Sequence, residues 1–243
     1  MENLHLLNIY ARLCEQVNNL KFSWPVAFVY NPLSYAWDGF KQYVKHSGGR
    51  KHVVFLGMNP GPWGMAQTGI PFGEVNAVRD FLGITSIRII HPDNEQVSYP
   101  VHGLDCERSE VSGKRLWGLF QNKFGTAENF FADNFVLNYC PLLFIANTEK
   151  GSLRNFTPDK LAPSERSRLC ELCDFALMDA INILKPEYVV GIGNFAYERA
   201  KTALIGERVS ITKILHPSPA NPHANKDWAG KAEHQLISSG VWQ

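Results

Sequence analysis

The stretch HVVFLGMNPGPWGMAQTGIPFGE, residues 52–74, changes character part-way along. A β-branched and aromatic run ends at Gly57, and residues 57–74 then hold five Gly, three Pro, two Met, one Trp and one Phe. The first part has the pattern of a buried strand: short, apolar and bounded by glycine. The second is too apolar for a solvated loop and too interrupted for a helix. Gly57 and Gly61 allow the backbone to approach a ligand closely, while Pro60 and Pro62 stiffen the chain around them. A rigid loop straight after a buried strand is a candidate binding wall. It lacks both the G-x-G-x-x-G spacing and the P-loop lysine of the glycine-rich nucleotide signatures.

Working outward from this strand, helical and strand patterns alternate. Leu4, Leu7, Ala11, Cys14 and Val17 predict an amphipathic helix over roughly residues 4–19. PLSYAWDGFKQYVKHSGG predicts a second helix ending at Gly48-Gly49, and KHVVFLG the first strand. Val75, Val78, Phe81 and Leu82 share one helical face, and the polar stretch from Thr85 to Glu110 reads as loop. VSGKRLWGLFQNKF is helical with Ser112 as its N-cap. NFVLNYCPLLF is a strand to Asn138 followed by an apolar loop. A long helix capped by Ser164 ends before Pro186, EYVVGIG and VSITKILHP are strands, and NFAYERAKTALIG is a helix between them. The last helix ends the chain after a loop at PHANKDW.

This alternation predicts an α/β fold: a three-layer α/β/α sandwich around a central, mostly parallel four-stranded sheet. No linker, charge block or repeat divides the 243 residues. A single domain over 1–243 is therefore expected, with the N-terminal helices, about residues 1–46, packed on it. With 45% hydrophobic and 19% charged residues, the composition is that of a soluble globule, and no apolar run is long enough to span a bilayer. The N-terminus carries no secretion-signal pattern, and five scattered cysteines suit a reducing compartment. A net charge of +1 argues against a strongly basic nucleic-acid binder but leaves room for a local basic surface.

In such sheets a ligand lies outside the carboxyl ends of the strands. Three of those ends, FLGMNPG, LNYCPLLF and ILHPSPANP, place Asn59, Asn138 and His216 just past their strands. Each has a structural alternative: a Gly/Pro turn, a turn-capping asparagine, a buried histidine. Their convergence on one rim favours function. Asn138 offers both a donor and an acceptor, the complement needed to read the edge of a nucleobase. Cys170 and Cys173 form a C-x-x-C on a helical pattern without a second ligand pair, so packing is expected there and no metal.

The segments GMNPGPWGMAQTGIPFGEV (57–75), EVSGKRLWG (110–118), NYCPLLF (138–144) and LHPSPANPHANKDW (215–228) resemble the single-strand-selective monofunctional uracil-DNA glycosylases. The resemblance runs from about residue 25 to the C-terminus. It implies the α/β/α sandwich, a monofunctional glycosylase acting on uracil and 5-substituted uracils such as 5-hydroxymethyluracil in DNA, and no cofactor. Asn59 would position the attacking water and His216 would donate to the uracil O2. Phe72 would stack on the extruded base, Asn138 would bond its Watson–Crick edge, and Met58 and Gly61 would border its C5 side. Ser218, Ala220, Asn221, Pro222 and His223 would form the DNA-contacting wedge. Members of the family carry an arginine where this chain has Ala220, and a phenylalanine where it has Trp63, which is expected to pack beneath the loop. A monomer is expected, in the cytoplasm or nucleoid of a bacterium or the nucleus of a eukaryote. Two other readings stand beside this one: a mismatch-directed thymine/uracil glycosylase, and a non-catalytic nucleic-acid-binding module on the same fold.

Overall fold

The computed structural model describes residues 2–92 and 95–243. Helix α1 (Glu2–Asn18) is followed by strand β1 (Val26–Tyr30), so the strand at residue 53 is not the first. The helix expected over residues 32–49 is split at Ala36 into α2 (Pro32–Tyr35) and α3 (Trp37–Val44), with a 3₁₀ turn at Lys45–Ser47. Strand β2 (Val53–Gly57) leads into the Gly/Pro loop and one turn of helix, α4 (Met65–Thr68). Val75, Val78, Phe81 and Leu82 are buried together, but on a π-helical turn at Ala77–Phe81.

The stretch expected as loop is irregular apart from a 3₁₀ turn at Gly103–Asp105; its residues 93 and 94 lie outside the described residues. Helix α5 (Val111–Phe124) follows, then α6 (Ala127–Asp133), β3 (Asn134–Asn138), β4 (Leu143–Asn147) and β5 (Leu153–Phe156). The chain closes with α7 (Pro163–Leu184), β6 (Tyr188–Ile192), α8 (Asn194–Ala203), β7 (Ser210–Ile214) and α9 (Trp228–Ser238). Neither expected serine cap forms. Glu110 occupies the N-cap position of α5 and Ala162 that of α7, where Pro163 suits the first helical position. Ser112 and Ser164 therefore sit inside the first turns.

Four strands form a parallel sheet in the order β3-β2-β6-β7. Successive residues of a strand face opposite sides, and every residue of β2 and β3 is buried, so both faces of the sheet are covered. Helix α8 packs on β6, β2 and β7, and α9 on β7. A second, antiparallel sheet in the order β1-β4-β5 was not expected from the sequence. It uses the apolar stretch after Asn138, expected as loop, as its central strand. One apolar core links α1, the parallel sheet, α5, α7 and the C-terminal Trp242. All five cysteines are free and buried, with Cys170 and Cys173 packed into this core from α7.

The register decides where the site lies. Gly57 pairs with Asn138, and Ile214 with Ile192, so β2, β3 and β7 end on one rim. Beyond the strands, the Tyr139 N–H donates to the Gly57 carbonyl and the Cys140 N–H to the Met58 carbonyl, both at 2.9 Å.

Candidate active site

A cavity of about 370 Å³ opens at this rim, a size suited to a small planar ligand. Met58, Asn59, Gly61, Phe72, Asn138 and His216 all line it. Residues from three distant parts of the sequence are thus brought together.

Phe72 forms a wall of the cavity. Its backbone lies in the left-handed region (φ +53), which a bulky side chain avoids. Its carbonyl is held by the Trp117 indole N–H at 3.1 Å and the Glu74 N–H at 2.7 Å. Gly57 is required beside the ring: a Cβ there would come within 2.2 Å of Asn138 Oδ1 and 2.5 Å of the Phe72 ring.

Asn138 is buried, and its Nδ2 donates to the Met65 sulfur at 3.1 Å. Its Oδ1 is buried with no hydrogen-bond partner. An unsatisfied buried acceptor costs about 1–3 kcal/mol, so this oxygen is prepared for a donor on a ligand. The Asn59 Nδ2 donates to the Leu142 carbonyl at 3.1 Å, which fixes the carboxamide and leaves Oδ1 as its free acceptor.

His216 follows β7 by two residues. Burial pushes its imidazole down to about 4, so it is neutral near pH 7. The Ser218 N–H donates to His216 Nδ1 at 3.1 Å, which makes Nδ1 the acceptor nitrogen and leaves the proton on Nε2. The ring is thus a neutral donor. Its centroid lies 6.3 Å from that of Phe72.

The uracil DNA glycosylase superfamily model matches residues 45–236. A Rattus norvegicus protein named single-strand selective monofunctional uracil-DNA glycosylase is 46% identical over 233 residues, covering 95% of this chain and 82% of the rat protein. The Bos taurus protein of the same name is also 46% identical, covering 95% of this chain and 84% of its own. The chain belongs to this family. Among solved structures, wild-type SMUG2 of Pedobacter heparinus matches with a TM-score of 0.68 over 97% of this chain and 96% of that one. At 16% identity that likeness speaks to the fold alone.

In this member of the glycosylase family, the residues suggested as the wedge divide into two groups. Ser218 lines the cavity, whereas Ala220, Pro222 and His223 are exposed beyond its rim. The Asn221 side chain accepts from the His223 N–H at 3.1 Å and closes the turn Pro222–Ala224 instead of reaching outward. Trp63 does not pack beneath the loop. It is half-buried at the cavity edge, parallel to Tyr99 at 5.8 Å, with the Arg108 guanidinium 3.9 Å from its ring centre.

Sequence reasoning assigned no role to EVSGKRLWG, yet the start of α5 touches three sides of the site. Glu110 meets the Gly61–Gly64 turn, Gly113 and Trp117 meet the Phe72 carbonyl, and Arg115 donates to the Pro217 carbonyl at 2.8 Å beside His216. Met65, which holds Asn138, and Asn155 and Thr157 at the cavity margin were also missed. A helix whose residues at i, i+3, i+5 and i+7 are Glu, Gly, Arg and Trp carries one signal of this. A glycine in a helix interior implies close backbone approach.

Proposed function

We propose that the cavity receives a uracil turned out of DNA, with each residue acting as its geometry allows. The enzyme is a uracil-DNA glycosylase: it hydrolyses the N-glycosidic bond and leaves the sugar–phosphate backbone intact. No lysine is among the described residues lining the cavity, so no amine stands ready to form a Schiff base.

The observation that carries the substrate reading is the unpartnered Asn138 Oδ1 facing the same cavity as a neutral His216 donor. Uracil offers N3–H to Asn138 Oδ1 and O4 to the second Nδ2 hydrogen. Cytosine presents a bare N3 and an amine at those positions, so buried groups would be left opposed. Sites built on such pairing discriminate by ~10⁴–10⁵. Phe72 supplies the stacking face. Met58 and Gly61 border C5 and leave room for a substituent such as hydroxymethyl.

As the glycosidic bond breaks, its electron pair moves into the base and charge gathers on O2. His216 Nε2–H donates to that oxygen, in the manner of an oxyanion hole. The sugar becomes oxocarbenium-like, and a water held by Asn59 Oδ1 adds at C1′, its proton passing to the departed uracil anion through solvent. Neutral imidazole suits this role because it stabilises the anion without surrendering its proton. Extraction of the base costs a few kcal/mol, least where it is unpaired, which supports action on single-stranded as well as double-stranded DNA. We take the enzyme to act as a monomer, wherever the cell keeps its DNA: nucleoid or nucleus.

The test is incubation with end-labelled uracil oligonucleotides, single- and double-stranded, then alkali. Cleavage at uracil only after alkali, with no adduct trapped by borohydride, is the expected result. Preferred action on thymine mismatches in a substrate panel would move the chain to the mismatch-directed reading. Turnover unaffected by His216→Ala would overturn the role of that residue.

A further inference from the structure

Among the described residues, the cavity wall contains one ionisable group besides His216, namely Glu110, and the mechanism above does not use it. The Glu110 residue is half-buried as a whole, but its carboxyl is enclosed against the turn Gly61–Gly64. A Cβ at Gly61 would lie 1.9 Å from Glu110 Oε2, and one at Gly64 would lie 2.7 Å from it. Both glycines are therefore required for the carboxyl to fit. Oε2 is buried and has no hydrogen-bond partner.

We propose that Glu110 is a positioning residue of the uracil pocket that works as the neutral acid, bracing the Asn59–Gly64 loop against the start of α5. The brace acts through the loop it touches. Pushed against Gly61 and Gly64 from behind, that loop presents Asn59 to the sugar face and Gly61 to the base.

Four features favour the neutral form. An ionised carboxylate would leave a charged oxygen enclosed without a donor, which costs far more than a neutral one. Glu74, of like sign, disfavours ionisation further, and the backbone amides of Trp63 and Gly64 offset these effects only in part. Burial therefore pushes Glu110 up to about 7. The other ionisable group on the cavity wall, His216, is itself neutral, and Arg108 is engaged with the Trp63 ring. Finally, the reaction builds negative charge on the departing base. A second negative charge on the pocket wall would oppose it.

This inference rests on the uracil-excision reading, and single-turnover rates on a single-stranded uracil oligonucleotide at pH 6 and pH 8.5 separate the two. Glu110→Gln keeps the shape and cannot ionise. Wild type would lose most of its neutral Glu110 between these pH values, so the variant-to-wild-type rate ratio is expected to rise about 30-fold. Titration of the substrate itself cancels in that ratio. Glu110→Ala removes the brace, and a loss on the order of 10- to 100-fold in kcat, with KM moved less, is expected at both pH values. A ratio for Glu110→Gln that is constant with pH overturns the proposal while leaving excision intact. A wild-type enzyme without uracil excision overturns both.

Discussion

The indole Nε1 of Trp117 donates to the carbonyl oxygen of Phe72 at 3.1 Å, and this bond holds an aromatic residue in a backbone conformation it would otherwise leave. Left-handed backbone costs a bulky residue roughly 1–3 kcal/mol. Trp117 is buried in the aromatic cluster of Phe120, Phe130 and Phe131, so the donor itself cannot move. Core packing in this way sets the angle of the stacking face. Trp117→Phe keeps most of the volume but removes the donor. It should lower stability by about 1–3 kcal/mol in urea titration. Excision should fall by roughly tenfold or more as the Phe72 ring relaxes out of position.

In the proposed mechanism, His216→Ala removes the donor to the leaving base. A loss of ~10²–10³ in single-turnover rate is expected, with DNA binding measured by gel shift largely kept. Because the wild-type ring stays neutral down to about pH 4, activity should show no acid limb near 6.5.

Asn59→Asp replaces a weak acceptor with a stronger one at the position proposed to hold water. With the fold intact, a faster enzyme is expected. An unchanged or slower rate in the absence of misfolding would place the water elsewhere.

Ala220 is exposed beyond the cavity and too short to fill the gap left by an extruded base. Ala220→Arg should raise the ratio of double- to single-strand activity. A gain of about 1.4 kcal/mol from the wedge would raise it about tenfold. Equal gains on both substrates would assign the new side chain to general phosphate attraction.

The two ionisable groups of the cavity wall act on stability in opposite directions. Glu110 is raised from its ordinary value of 4.5 to about 7, so its contribution is complete below 4.5 and is lost as pH rises through 7. His216 is lowered from 6.5 to about 4, so its contribution is complete above 6.5 and is lost as pH falls through 4. Between about 4.5 and 6.5 the slopes oppose each other. Glu110→Gln removes one of them. Relative to wild type, it should gain on the order of 3 kcal/mol between pH 4.5 and 7.5, read from denaturant midpoints.

The parallel sheet was legible because its strands are short runs, apolar in β2, β3 and β6 and alternating in β7, closed by Gly, Asn or His-Pro. Asn138 was legible because it ends its run, and Asn59 and His216 because they stand just past theirs. The antiparallel sheet was not. LFIAN follows Cys-Pro-Leu and reads as continued loop, and LRNF is too short and half-exposed to show a pattern. LFIAN takes its strand character from pairing across more than a hundred residues, as between Tyr30 and Leu143, and LRNF from pairing onto LFIAN in turn. The positioning side was hidden for the same reason. Nothing local to Glu110 announces that its carboxyl will be enclosed by glycines some fifty residues earlier.

The short crossing between the two sheets, residues 138–142, has a consequence for fidelity. It begins at Asn138 and ends at the Leu142 carbonyl, which accepts from Asn59 at 3.1 Å. In the proposed mechanism, identity check and nucleophile placement therefore share one short piece of backbone. On that reading, a base that displaces Asn138 should also displace the water. Mistaken bases should be admitted and then released uncut, so errors are rejected in the chemical step and not at the door.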